Sequence, residues 1–350
     1  MTDQHETDGE APAQAPGAQD EGQRRHPLIM AVAAVIGLAL VVAGVADAAG
    51  GGGGDSARSN LTLIAPAGAG GGWDGAAREA QQAMRANGIV NNSQVVNIPG
   101  AGGTIGLNQV VNQMAGETST MMLMGITMLG AIKINGSEAT LADVTPIARL
   151  TDDYDVVVVA ADSPIQDVDQ LIDLWKQNPR DFPWGGGSLG SVDQMIITQL
   201  AIEVGISAPE VNYIAYSGGG QLATSLLSGT ITASVSGYQD FKDQIEAGRL
   251  RALAISAPEP VESIDLPTLI DLGYDVSLTN WRGIVAPPGI GDADRQVLED
   301  IVAEFHDTDE WRDALERNQW TDTFMVGQDF RDNIAEQTEF VNGIWAQLGY

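Results

Sequence analysis

Residues 61–74 read LTLIAPAGAGGGWD. The aliphatic run 61–65 has strand composition, a glycine-rich turn follows Pro66, and 75–86 (GAAREAQQAMRA) carries its apolar residues at helical period. A strand feeding such a turn and then a helix is the repeating unit of an open α/β sheet. The carboxyl ends of its strands face one crevice, where helix starts present unpaired backbone N–H groups and a positive dipole end. Three more turns share this character: 99–106 (PGAGGTIG), 184–193 (WGGGSLGSVD) and 217–221 (SGGGQ). Any one of them is explained by glycine's ability to turn tightly. Four at comparable strand ends point to a ligand crevice that holds an anion through amides.

The same rhythm runs through the rest of the chain. Strands are predicted at 61–65, 95–98, 121–125, 156–160, 211–216, 231–235, 252–256 and 283–286. Helices are predicted at 75–86, 104–114, 168–177, 192–204, 219–227, 240–247, 293–305, 309–318 and 327–348. Short β-branched runs alternating with amphipathic helices give the α/β class, with parallel sheets covered by helices. A dinucleotide fold is the rival for glycine-rich turns. The run Gly102-Gly103-Thr104-Ile105-Gly106 lacks its spacing, and no Walker lysine follows any loop.

Composition narrows the partners. The chain has 350 residues, 47 acidic against 17 basic, with a formal net charge of −30. Such a surface repels phosphate backbones, so no nucleic acid is expected. Cysteine is absent, which removes disulfides, thiol catalysis, thiolate metal sites and N-terminal lipidation on cysteine. Residues 1–26 are polar and aperiodic and read as a disordered acidic leader. The apolar run 27–46 is long enough to cross a bilayer, and Ala46-Asp47-Ala48 offers a small-residue cleavage site. Segment 27–48 is therefore a signal peptide or a membrane anchor, and 49–59 a glycine-rich linker. Either way the remainder is exported to a periplasmic or extracytoplasmic location.

In order along the chain stand AP at 65–66, GGGWD at 70–74, PGAGG at 99–103, GS at 187–188 and SVD at 191–193. YIAYSGGG at 213–220, LLSG at 226–229, VSGY at 235–238, AGRLRALA at 247–254, NWRG at 280–283 and APPG at 286–289 follow. In this order the chain resembles, over nearly all of 61–350, the solute-binding receptors of tripartite tricarboxylate transporters, the TctC or Bug-type receptors. The resemblance implies a two-lobed periplasmic-binding-protein fold of the Venus-flytrap, type II-like kind, crossed twice by the chain. The crossings are placed near 149–155 and 277–283, so that 60–150 plus 283–350 form lobe 1 and 151–282 form lobe 2. It further implies a small di- or tricarboxylate such as citrate, held by amides, hydroxyls and waters and passed to a two-component membrane permease. The same fold can instead serve a sensor that feeds a membrane kinase. No cofactor or metal is expected, and a monomer is.

Within that frame the candidate ligand-binding residues come from both lobes. In the first, Gly71, Gly72 and Asp74 line the crevice, Asp74 either capping the helix or meeting ligand or water. Trp73 either walls the pocket or packs beneath the loop. Ala101, Gly102 and Thr104 offer amides and a hydroxyl, unless Thr104 is itself a cap, and Thr127 follows an apolar strand at the same end. In the second lobe, one of Ser188 and Ser191 caps a helix and the other is available to a carboxylate. Ser217, Gly218 and Gly219 present amides, and Tyr238 a phenol. Tyr154 either closes over the ligand or packs at the hinge. Arg282 either binds a carboxylate bidentately or forms a structural ion pair.

Catalysis finds no footing. Of the three histidines, His5 and His26 fall in the leader, which leaves His306 in a charged helix, and no Gly-x-Ser-x-Gly elbow occurs. The acidic stretch Asp152-Asp153-Tyr154-Asp155 reads as a solvated hinge rather than a metal site, and Asp193 as a complement to a helix dipole.

Overall fold

The computed structural model describes residues 54–216 and 219–347, which belong to one compact unit beginning at Gly52. The acidic leader, the apolar run 27–46, the start of the linker, and Ser217 and Gly218 lie outside the described residues. Among the described residues no helix is long and apolar enough to cross a membrane.

In chain order the first elements are α1 (Gly54–Ser59), β1 (Asn60–Ala65), α2 (Gly72–Ala86), β2 (Asn92–Asn97), α3 (Thr104–Gln113), β3 (Thr120–Gly125), α4 (Ile126–Asn135) and β4 (Thr145–Asp152). Next come β5 (Asp155–Ala160), α5 (Val168–Gln177), β6 (Trp184–Gly186), α6 (Val192–Glu203), β7 (Tyr213–Ala215), α7 (Gly219–Leu227), β8 (Ala233–Gly237), α8 (Tyr238–Glu246) and β9 (Leu250–Ile255). The chain closes with β10 (Arg282–Ala286), α9 (Asp292–His306), α10 (Asp309–Asn318), β11 (Thr321–Val326) and α11 (Gly327–Gln347). Residues 54–59, expected as tether, form helix α1. It is held by the buried Ala57 and by Arg58, which pairs with Glu304 at 2.6 Å.

Two mixed sheets result. The first has six strands in the order β11-β4-β10-β3-β1-β2, and the second five in the order β7-β6-β8-β5-β9. The expected parallel pairing holds among β1, β2 and β3 and among β6, β7 and β8. Around the crossings it fails: β10 runs antiparallel to both β3 and β4, β11 to β4, and β5 to both β8 and β9. The reason is topological, because a strand arriving from the other sheet has no crossover helix to carry it back to the parallel start.

The chain leaves the first sheet after β4 and returns at β10. The two connecting segments pair with each other. Asn280 N donates to Asp153 O at 2.8 Å, Asp153 N to Asn280 O at 3.3 Å, and Tyr154 bridges Thr279.

Burial on both faces explains the aliphatic strands. On β5, Val156 and Val158 join one apolar cluster with Leu222, Leu226 and Phe241, while Val157 and Val159 join another with Trp175 and Trp184. The latter cluster also takes in Met122, Met124, Trp281 and Phe330. A third cluster seats Ala76, Ala77, Ala80 and Ala83 of α2 and Leu298, Ile301, Val302 and Phe305 of α9 around the first sheet. The alanine stripe on α2 falls at helical spacing and lets that helix lie close.

Helix starts follow the local chemistry. Asp167 caps α5 through Gln170 N at 2.8 Å, Ser191 caps α6 through Gln194 N at 3.4 Å, and Thr308 caps α10 through Trp311 N at 3.2 Å.

Candidate functional site

The loop from β1 to α2 is pinned from behind by Asp74. Its buried carboxylate accepts from Gly70 N and Asn97 Nδ2, both at 2.8 Å, and from Arg78 Nε at 2.9 Å. Burial alone would push this carboxyl up; the hydrogen bonds from Arg78, Gly70 and Asn97 hold it below the usual range. Asp74 therefore shapes the loop and is occupied in doing so. The helix start itself, at Gly71, receives no side-chain cap.

Arg282 opens β10 directly beside that start. Its Nη2 lies 2.7 Å from Asp153 Oδ2, its guanidinium stacks 5.2 Å from the Trp320 ring, and it is 5 % exposed. A Cβ at position 72 would stand 2.8 Å from Nη2, so glycine there is what lets the helix start approach the guanidinium. The other terminal nitrogen, Nη1, is buried and meets no hydrogen-bond partner.

The facing wall belongs to the second sheet and is acidic. Asp155 is the ladder partner of Gly237 and is fully enclosed. Its Oδ1 is reached only by Asn280 Nδ2 at 3.4 Å, and its Oδ2 by no partner. Burial, then the nearby Asp193, Asp153 and Asp240 carboxylates, push Asp155 well above the ordinary carboxylate range. Asp193, in the first turn of α6, accepts from Gly187 N at 2.6 Å. Burial raises it, against hydrogen bonds from Gly187, its own amide, Ser236 and Ser191. Asp240, in the first turn of α8, takes a hydrogen bond from Ser236 Oγ at 2.9 Å and opens to solvent at the crevice. Surrounding protein nevertheless pushes its pKa up to about 6. Glycine at 219 is required on this wall, since a Cβ would fall 2.5 Å from Asp240 Cβ.

A second contact between the layers lies alongside. Val192 N, at the start of α6, donates to Thr127 Oγ1 at 3.3 Å. A Cβ on Gly102, whose φ is 61°, would stand 3.4 Å from Ser188 Oγ. Gly130 of α4 and Gly190 touch backbone to backbone, a Cβ at 130 lying 2.0 Å from Gly190 O.

The structure thus brings Gly71, Gly72, Arg282 and Gly219 to one place, and Gly102, Thr127, Ser188 and Ser191 to the adjoining one. Ala101, at φ 48°, turns the chain into α3, and Thr104 hydrogen-bonds Ala101 O at 2.9 Å. Trp73 packs over Gly103 and Gly125 beneath the loop. Tyr154 is buried at the crossing with its hydroxyl 3.1 Å from Thr321 Oγ1, and Tyr238 packs on the Tyr154–Phe241 cluster. Ser191 both caps α6 and lies 3.3 Å from the hydroxyl of Tyr213, which donates to Gly187 O at 2.8 Å.

Sequence reasoning missed the acidic wall. Asp155 was expected in a solvated hinge; it is enclosed because β5 begins one residue after the crossing and carries it inside. Asp193 and Asp240 had a weak signal, each lying in the first turn after a glycine-bearing strand end. Among the described residues no group of three such side chains is placed to hold a metal ion.

Comparison with known proteins agrees with this architecture. The profile of the tripartite tricarboxylate transporter family receptor, TctC, matches residues 76–349. A Cupriavidus necator protein described as a UPF0065 protein in the gbd 5′ region is 27 % identical over 258 residues, covering 73 % of this chain and 77 % of its own. A TctC solute-binding protein from Polaromonas superposes with a TM-score of 0.64 at 28 % identity, covering 83 % of this chain and 99 % of the other. An R. palustris protein with adipate shares the fold at 20 % identity, with a TM-score of 0.74 and coverage of 83 % and 97 %. These are solute-binding receptors rather than enzymes, and their fold is that of periplasmic binding proteins. With the profile spanning most of the sequence, the chain belongs to the tripartite tricarboxylate transporter receptor family.

Proposed function

We propose that this receptor captures a small di- or tricarboxylate, citrate among the candidates, in the crevice between its two sheets. It then passes the ligand to a two-component membrane permease. The observation that carries this reading is the buried, unpartnered Nη1 of Arg282 beside the uncapped start of α2. A buried guanidinium nitrogen without an acceptor is costly, and a carboxylate oxygen supplies one while meeting the Gly71–Gly72 amides. The adipate complex of the R. palustris relative supports the ligand class.

In the same reading, residues 60–150 with 283–350 form one lobe and 151–282 the other, and the paired segments at the two crossings act as the hinge. The receptor works as a monomer outside the cytoplasm, either released from its signal or held through residues 27–46. Titration calorimetry against citrate, succinate, malate and adipate tests this. At least one carboxylate should bind, and Arg282→Met should weaken it by about tenfold or more. Silence across the panel would overturn the reading.

A further inference from the structure

The acidic wall makes a purely anionic ligand a poor fit. Arg282 is already paired with Asp153, and beyond that pair stand Asp155, Asp193 and Asp240. A second carboxylate of a ligand anchored at Arg282 would meet like charge on the facing side. Two observations say what belongs there. First, Asp155 Oδ2 is fully buried among the other three carboxylates and has no hydrogen-bond partner. Second, the point where a side chain at position 237 would begin lies 3.5 Å from Asp153 Oδ2 and 3.8 Å from Asp240 Oδ2. Glycine at 237 leaves that point open, and a cation just beyond it would stand within ion-pair reach of both. The carboxylates are too dispersed to form a metal site among the described residues, whereas an ammonium group needs acceptors without a fixed coordination shell.

We infer that the ligand is a zwitterion, a small carboxylate bearing a protonated amine, with its carboxylate on Arg282 and the Gly71–Gly72 amides and its ammonium facing Asp240, Asp153 and Asp155. The inference rests on the carboxylate reading above and specifies the ligand class for that site. It also accounts for a crevice that gathers one guanidinium and four carboxylates, a charge pattern that a simple dicarboxylate does not complement.

The test uses matched pairs that differ only at C2: aspartate against succinate, glutamate against glutarate, and 2-aminoadipate against adipate. Calorimetry at pH 7.5 should give at least one amino member binding about tenfold or more tightly than its unsubstituted partner. Asp240→Asn, at a position open to the crevice, should erase most of that preference while leaving the unsubstituted acid bound as well or better. Asp240→Glu should retain the preference, and melting curves establish that both variants fold. If the unsubstituted acids bind as tightly as their amino partners, the zwitterion is refuted and the carboxylate receptor stands. If no pair binds at all, both readings fall.

Discussion

Gly130→Ala sets local propensity against long-range packing. In the middle of α4, alanine should favour the helix by about 1 kcal/mol over glycine. The structure argues the other way, because the new methyl carbon would lie 2.0 Å from Gly190 O across the layer contact, and 3.1 Å from Gly190 C. Backbone cannot yield as a side chain does, so α4 and the loop before α6 must part by about 1 Å to restore contact distance. Overpacking of this kind costs about 2–3 kcal/mol, which outweighs the helix gain and leaves a net loss of about 1–2 kcal/mol. If closure of the crevice brings these two segments together, the loss falls on the closed form and lowers ligand affinity by about 5- to 30-fold. Urea melts and titration calorimetry on the same preparation read the two effects. Gly343→Ala is the control: it lies on the exposed side of α11, where a methyl group meets nothing within 4 Å, so affinity should not move. A Gly130→Ala protein as stable as the parent and with undiminished affinity would refute the packing argument.

Two further outcomes are expected. Asp155 and Asp240 hold their protons more tightly in the folded protein than an unfolded carboxyl does. Stability should therefore rise as pH falls from 7 through about 6 toward 4, and thermal melts should show that rise flattened in Asp240→Asn. Asp74→Ala strands the donors of Gly70, Arg78 and Asn97; we expect a loss of about 2 kcal/mol in chemical denaturation and weaker carboxylate binding through a loosened loop.

What the sequence shows and what it hides follow from the range of the interactions. Periodicity located most helices and the parallel strands, because each reports on one buried face. It failed for α4, whose sequence ITMLGAIKIN is apolar on nearly every side. That helix is wedged against α11, β3 and α6, and a helix enclosed all round has no polar stripe to betray its period. It failed again at β6, where WGG reads as a turn. There the glycines serve packing: a Cβ at 185 would fall 2.3 Å from Ile231 Cδ1, and one at 186 would fall 2.5 Å from the Tyr213 hydroxyl. β4 and β11 were overlooked because Arg149, Asp152 and Thr323 are polar, yet they neutralise one another inside the sheet.

The glycine loops of the site were legible because they are contiguous. The acidic wall was not, since Asp153, Asp193 and Asp240 are drawn together only by the second sheet and its helix starts. The pairing of Arg282 with Asp153 likewise spans 129 positions, and nothing local announces it.

The position of β10 has a consequence for how the chain can be made. It lies between β4 and β3 in the middle of the first sheet, although its residues come after the whole second sheet in sequence. The second sheet, drawn from a continuous stretch, can assemble from its own neighbours. The first sheet stays split, with two raw strand edges, until segment 282–286 arrives. A translocating chain therefore cannot complete this half until nearly all of it has crossed, and a protein truncated before Arg282 should expose pairing edges and aggregate rather than fold to a smaller receptor.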